Sequence, residues 1–232
     1  KRAEGRVEST TGESTLTPYY PSGNTGGDEI SGQAAAAVES VVAWMYQRLM
    51  QSHPELGRNG AVCPYLELAV AEGRHCISLI RIDTPDDSQR LADAVLAWLP
   101  RISGAADKAR GQESVIFVPV GADTPVLAAV IGHVQRDLRS DAIHAGRMIG
   151  DFLPGHDAPG VHNAAFRPLE SPWPVLGIRT MVETDILFLR SSDIPAIDRG
   201  SYIDVWRRFF GQSAGKRFMN VYENCRMELD AM

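Results

Sequence analysis

Apolar positions along this chain follow two alternating periods, one helical and one extended. Val38, Val41, Val42, Met45 and Leu49 fall on one face at 3.6-residue spacing and predict a helix over 33–50. The turn-rich segment HPELGRNGAVCPY follows, and then RHCISLIRI (74–82) reads as a strand. Over 86–100, Leu91, Ala94, Val95, Trp98 and Leu99 mark a second amphipathic helix, with Asp86 and Asp87 at its start and Pro100 at its end. ESVIFVPV (113–120) is the clearest strand. Thr124 and Pro125 open a helix that runs to about Leu138, with Leu127, Val130, Ile131, Val134 and Leu138 facing a core. Residues 174–181 and 185–190 read as strands. Residues 201–211 read as a helix with Ser201 as N-cap and Gly211 as stop, and the tail from 217 is helical in part.

Helices alternating with strands imply a crossover unit, and a hairpin near 174–190 would add antiparallel pairing. The expected fold is α+β, a mixed sheet with helices mainly on one face and a β-α-β-α core in which 74–82 and 113–120 share the sheet. A single domain is expected over 33–216, preceded by an extended arm (1–32) and followed by a short tail (217–232). The arm is polar and rich in Gly, Ser and Thr, and cannot bury enough surface to offset its own ordering. It either lies on its own domain through Leu16, Tyr19 and Tyr20 or wraps a second copy in a homo-oligomer.

Composition narrows the function classes. The chain has 232 residues, 44% hydrophobic and 22% charged, with net charge −6, which speaks against a nucleic-acid binder with a basic face. No run approaches the roughly 18 apolar residues needed to cross a membrane, and no signal peptide is seen. Three cysteines, Cys63, Cys76 and Cys225, make no disulfide framework, so a reducing cytoplasm is the expected compartment. The serine-hydrolase elbow, the phosphate-binding loop, the HExxH zinc motif and the dinucleotide fingerprint are all missing.

Candidate chemistry concentrates in 153–181, LPGHDAPGVHNAAFRPLESPWPVLGIRTM. It carries His156, His162, Asp157, Arg167 and Arg179 among rigid turn residues, as a shaped site on a scaffold would. Histidine is the commonest metal and haem ligand, but His156 and His162 are six apart and match no zinc spacing. Arg167 and Arg179 would grip carboxylates bidentately. Arg179 ends an apolar run, where an unpaired charge is costly, so an internal ion pair with Glu170, Glu183 or Asp185 is the alternative. Cys63, before Pro64, is either a soft ligand or a small buried side chain at a bend.

The blocks HPELGRNGAVCPY (53–65), HDAPGVHNAAFRPLESPWPVLGIRTMVETDILFL (156–189) and YIDVWRRFFG (202–211) resemble an uncharacterised bacterial domain family common in actinobacterial sequences. More distantly, the element order is similar to that of the haem-dependent N-oxygenases of the YqcI/YcgG type. Val62-Cys63-Pro64-Tyr65 stands where those proteins carry a Pro-Cys-Pro-Phe-like segment. Where they place a histidine in a late strand, this chain reads Gly177-Ile178-Arg179-Thr180. The resemblance implies a haem-dependent oxygenase acting on a small amino-acid-like substrate. His156 would then be the iron ligand and a catalytic residue, Arg179 would be catalytic, and Arg167 and Cys63 would help hold the cofactor. The alternative is a non-catalytic protein that binds a small ligand or acts as a scaffold through the 153–173 loop.

Overall fold

β3 (Ser114–Gly121) organises the molecule. Six of its eight residues in succession are buried, the signature of a strand covered on both faces. In the computed structural model, which describes residues 18–19, 28–106 and 112–232, β3 pairs in parallel with β2 (His75–Ile82) through eight residues, His75 opposite Ser114 to Ile82 opposite Gly121. Its other edge pairs antiparallel with β5 (Val175–Thr180), which pairs antiparallel with the edge strand β4 (Arg147–Phe152). The two-residue β1 (Pro18–Tyr19) adds to the far side of β2, giving the order β1-β2-β3-β5-β4. The mixed sheet of an α+β fold, with 74–82 and 113–120 in one sheet, is what the sequence predicts.

α1 (Asp28–Trp44) continues into a π-helical turn, Met45–Leu49. α2 (Leu66–Ala71) precedes β2, and α3 (Ser88–Trp98) crosses from β2 to β3. α4 (Thr124–His144) starts at Asp123, whose side chain accepts from the Val126 N–H at 3.3 Å, with Pro125 in the first turn. α3 and α4 bury Leu91, Val95, Leu127, Ile131 and Val134 against Ile80, Ile82, Val115, Phe117, Leu176 and Ile178 on one face of the sheet. α1 and α2 pack Val41, Trp44, Met45, Leu66 and Val70 on Ile77, Ile116, Val118 and Val120 of the other face. Strand side chains alternate between faces, so each sheet residue belongs to one of these two layers.

A third cluster closes one end. α5 (Ile186–Leu189), α6 (Ala196–Phe210) and α7 (Lys216–Asp230) gather around Trp206, Ile203 and Ile186, each fully buried.

Three sequence expectations change. Residues 185–190 are helical rather than extended. Asp185 accepts the Val182 N–H at 2.8 Å and closes a 3-10 turn, and Ile186 and Leu189, three apart, are buried while Phe188 is exposed. Ser201 is interior to α6, which starts after Pro195, and its hydroxyl lies 3.2 Å from His144 Nε2. β4 was not anticipated, because Arg147-Met-Ile-Gly-Asp-Phe152 buries only Ile149 fully. Of the polar arm, Pro18 and Tyr19 pair with Ile77 and Ser78 of the same chain, and Asp28 already begins α1. The expectation that the arm wraps a second copy concerns mainly 1–17 and 20–27, outside the described residues.

Candidate functional site

The 153–173 loop is braced from within. Leu153 N–H donates to Leu169 O (3.2 Å), Ser171 N–H to Leu153 O (3.2 Å), Gly160 N–H to Phe166 O (2.8 Å) and Phe166 N–H to Asn163 O (3.1 Å). It docks on the 53–60 segment: Asn163 Nδ2–H donates to Glu55 O at 2.7 Å, and His53 and Phe166 rings meet at 4.8 Å between centroids. α1 and its π-helical turn supply the rest. Trp44 Nε1–H donates to Glu170 O (3.0 Å) and Arg48 Nη2–H to Arg167 O (2.9 Å). Two of the three sequence blocks that carry the resemblance, 53–65 and 156–189, are therefore in contact.

Within this loop the candidate side chains are engaged. His156 is 16% exposed, and its Nε2 lies 3.7 Å from Asp151 Oδ2. Its Nδ1 accepts the Ala158 N–H at 3.2 Å, which fixes the proton on Nε2, facing Asp151. Arg167 Nη1 donates to the carbonyls of Ala164 (2.5 Å) and Phe166 (3.3 Å), which braces the turn.

Arg179 is arranged differently. Its guanidinium meets Asp185 end-on, Nη1 to Oδ2 at 2.8 Å and Nη2 to Oδ1 at 2.5 Å, and Nη1 also donates to Thr180 O at 3.0 Å. The ion-pair reading of the sequence thus holds, with Asp185 as the partner. Asp185 is fully buried, while the Arg179 side chain is 26% exposed. Burial works against the Arg179 charge, but the Asp185 carboxylate, with Cys63 and Tyr65 further off, outweighs it and holds the guanidinium above its ordinary pKa. The guanidinium carbon sits 5.9 Å from the Tyr65 ring centroid, and Tyr65 Oη lies 3.4 Å from Thr184 Oγ1. Cys63 is half-buried and packs on the same layer. An arginine has five N–H donors. Three are engaged here, and Nε–H and the second Nη2–H have no acceptor among the described residues. Those two form the side-on edge of the fork, which matches a carboxylate as the end-on edge does.

Register places two more polar groups in the same row. Arg179 on β5 is opposite Ser114 on β3, and Ser114 is opposite His75 on β2. All three share the α1/α2 face. His75 is 7% exposed, and its Nδ1 lies 2.7 Å from Ser114 Oγ. Its Nε2 is buried with no partner among the described residues, and burial pushes its pKa down to about 4, so the ring is neutral at pH 7. If Ser114 donates to Nδ1, the only group left over is an Nε2–H donor. If His75 donates instead, both the serine proton and the Nε2 lone pair are orphaned. The first arrangement leaves fewer groups unmade and is favoured.

The four residues singled out in sequence do not converge. Asp151, beside His156, is opposite Leu176, and Ile149 is opposite Ile178, so Asp151 belongs to the α3/α4 face. Arg179, three residues from Leu176 along β5, belongs to the opposite face. Cys63 accompanies Arg179, and Arg167 stays with the loop. No group of three or more His, Cys, Asp or Glu side chains among the described residues is placed to hold a metal. A haem with His156 as axial ligand and both arginines on its propionates does not fit this arrangement: His156 Nδ1 accepts the Ala158 N–H and its Nε2 faces the Asp151 carboxylate, while Arg179 lies across the sheet from Asp151. His75 and Ser114 were missed because each is the first residue of an apolar strand, where it reads as a strand end. The available signal was register: a histidine and a serine each opening a predicted strand become neighbours once the strands pair in parallel.

Residues 38–220 match the model of a family described as "Domain of unknown function (DUF6875)". Neither a curated protein nor a solved structure matches the chain. No helix among the described residues is long and apolar enough to cross a membrane.

Proposed function

The chain belongs to that family of unknown function, and on this footing we propose that the domain binds a small, amino-acid-like carboxylate on the α1/α2 face, against Arg179. One observation carries the reading. Asp185 locks the end-on edge of the Arg179 fork and leaves the side-on edge, Nε–H and Nη2–H, without an acceptor beside Tyr65 and Cys63. Because the Arg179–Asp185 pair is neutral as a whole, recognition rests on directed donors rather than on excess charge. A guanidinium already fixed by a buried partner loses little further freedom when a ligand arrives. Tyr65 supplies an aromatic wall for the apolar part of the ligand.

This reading keeps the small amino-acid-like ligand expected from the sequence, assigns it to Arg179, and derives no step through haem. The test uses the intact protein and a panel of L-amino acids and short carboxylic acids, each beside its carboxamide, followed by calorimetry. At least one acid is expected to bind, with its amide weakened at least tenfold. Acids and amides that bind alike, or a panel in which nothing binds, would overturn it.

A further inference from the structure

We infer that the Tyr65 and Thr184 hydroxyls are the second recognition element of the Arg179 site, and that its ligand is a 2-hydroxy acid, the hydroxyl analogue of an amino acid. The inference rests on the carboxylate reading above and names the group that the ligand carries beside its carboxylate.

Direct contacts place these side chains together. The guanidinium carbon of Arg179 is 5.9 Å from the Tyr65 ring centroid, and Tyr65 Oη is 3.4 Å from Thr184 Oγ1. Thr184 is the chain neighbour of Asp185, which holds the end-on edge of Arg179. Nη2 belongs to both edges of the fork, so a carboxylate on the side-on edge stands next to the Asp185 contact. Arg179, Tyr65 and Thr184 are each half-buried, so all three reach solvent.

The two hydroxyls have capacity to spare. Hydroxyl pairs usually meet at about 2.7–2.8 Å. At 3.4 Å their mutual bond is weak, and neither has another partner among the described residues. That bond uses one proton at most, which leaves an O–H donor and free lone pairs. A ligand hydroxyl both donates and accepts, and so matches the pair. An ammonium group only donates, and it needs an anion when it leaves water. The neighbouring carboxylates are committed. Both Asp185 oxygens face Arg179, and Oδ2 also accepts the Val182 N–H. Glu183 Oε1 accepts the Gly215 N–H at 2.7 Å, at the start of α7. An ammonium held here would adjoin the Arg179 cation, whose counter-charge is already taken.

The probes are 2-hydroxyisocaproate, leucine and 4-methylvalerate, the chiral ones as both enantiomers. They share one carbon skeleton and differ only in the hydroxyl, ammonium or hydrogen beside the carboxylate. A site that hydrogen-bonds a ligand hydroxyl discriminates against the analogue lacking it. Calorimetry on the wild-type protein is expected to give one hydroxy acid enantiomer at least tenfold the affinity of 4-methylvalerate and of either leucine. The variant Y65F/T184V removes both hydroxyls without orphaning either, and is expected to bring the hydroxy acid down to the level of 4-methylvalerate. Wild-type binding of hydroxy acid and 4-methylvalerate alike overturns the inference and leaves the Arg179 reading standing, and so does tighter binding of leucine. A preference for the hydroxy acid that survives in Y65F/T184V also overturns it, since the hydroxyl is then met elsewhere. Binding of no probe overturns it together with its premise. Should the double variant fail to fold, Thr184→Ser and Thr184→Val answer instead. The preference should persist in the first and weaken in the second, and an equal preference in both overturns the inference.

Discussion

The 153–173 loop and the His75–Ser114–Arg179 row are opposite kinds of polar region. The loop gathers His156, Asp157, His162, Arg167 and Glu170 among turn residues, yet its principal groups face partners inside the loop or in its immediate supports: His156 with Asp151 and Ala158, Arg167 with two carbonyls, Asn163 with Glu55. The row contributes three polar residues to mainly apolar strands, and two of them carry donors with no acceptor among the described residues. Wealth of polar residues thus marks a segment that must satisfy itself in an irregular conformation. A sparse polar residue in a sheet has fewer local partners, and an unengaged donor there is left for water or a ligand.

The contrast breaks most sharply at Arg179. Removing one member of a buried ion pair strands the other, so Asp185→Leu or Arg179→Met should each lose about 3–5 kcal/mol in urea unfolding, while the double variant R179M/D185L recovers most of it. A double variant as unstable as the singles would mean that the pair is not what holds this end of β5.

The next effect is a pH dependence of stability. Folding lowers the His75 pKa from 6.5 to about 4, so between those values the unfolded chain binds a proton that the folded chain refuses. Stability is retained above pH 6.5, falls at up to ~1.4 kcal/mol per pH unit below it, and levels off near pH 4, a total of about 3 kcal/mol. Other groups titrate in the same range, so the quantity to compare is the difference between wild type and H75F/S114A. A difference flat in pH contradicts the buried neutral imidazole.

The loop should respond structurally, with smaller effects. Gly57 has φ of 74°, and a Cβ there would meet His162 O at 2.8 Å. Gly57→Ala should cost about 1–3 kcal/mol and speed proteolysis within 153–173, while leaving carboxylate binding at Arg179 in place. His156→Ala removes a partly exposed pair with Asp151 and should cost about 1 kcal/mol or less. If it abolishes ligand binding instead, the chemistry belongs to the loop and the comparison is reversed.

Much of the fold was legible in the chain. The apolar periods locate α3, α4, β2 and β3, because each has a clear buried stripe or an unbroken buried run. β4 escaped because Gly150 and Asp151 dilute its pattern and only Ile149 is fully buried. Residues 185–190 misled because Ile186-Leu-Phe-Leu189 is a short unbroken apolar run, which a strand and a buried helical turn share, while the burial that matters is Ile186 with Leu189. The site was legible in part: Arg179 stood out as a charge ending an apolar run, and Asp185 was among its named partners. What the sequence withheld was engagement. That His156 faces Asp151 and the Ala158 N–H while His75 keeps one nitrogen open depends on contacts and pairing register rather than on residue type.

The account's central claim is that the side-on edge of Arg179 is the ligand contact. The most direct measurement is the proton–nitrogen NMR signal of Arg179 Nε–H, assigned by its loss in R179M/D185L, as the best-binding acid of the panel is added to wild-type protein. The account predicts a saturable downfield shift of that signal, absent with the matching amide, while the His156 ring signals stay in place. A silent Arg179 Nε–H, with His156 moving instead, would contradict it.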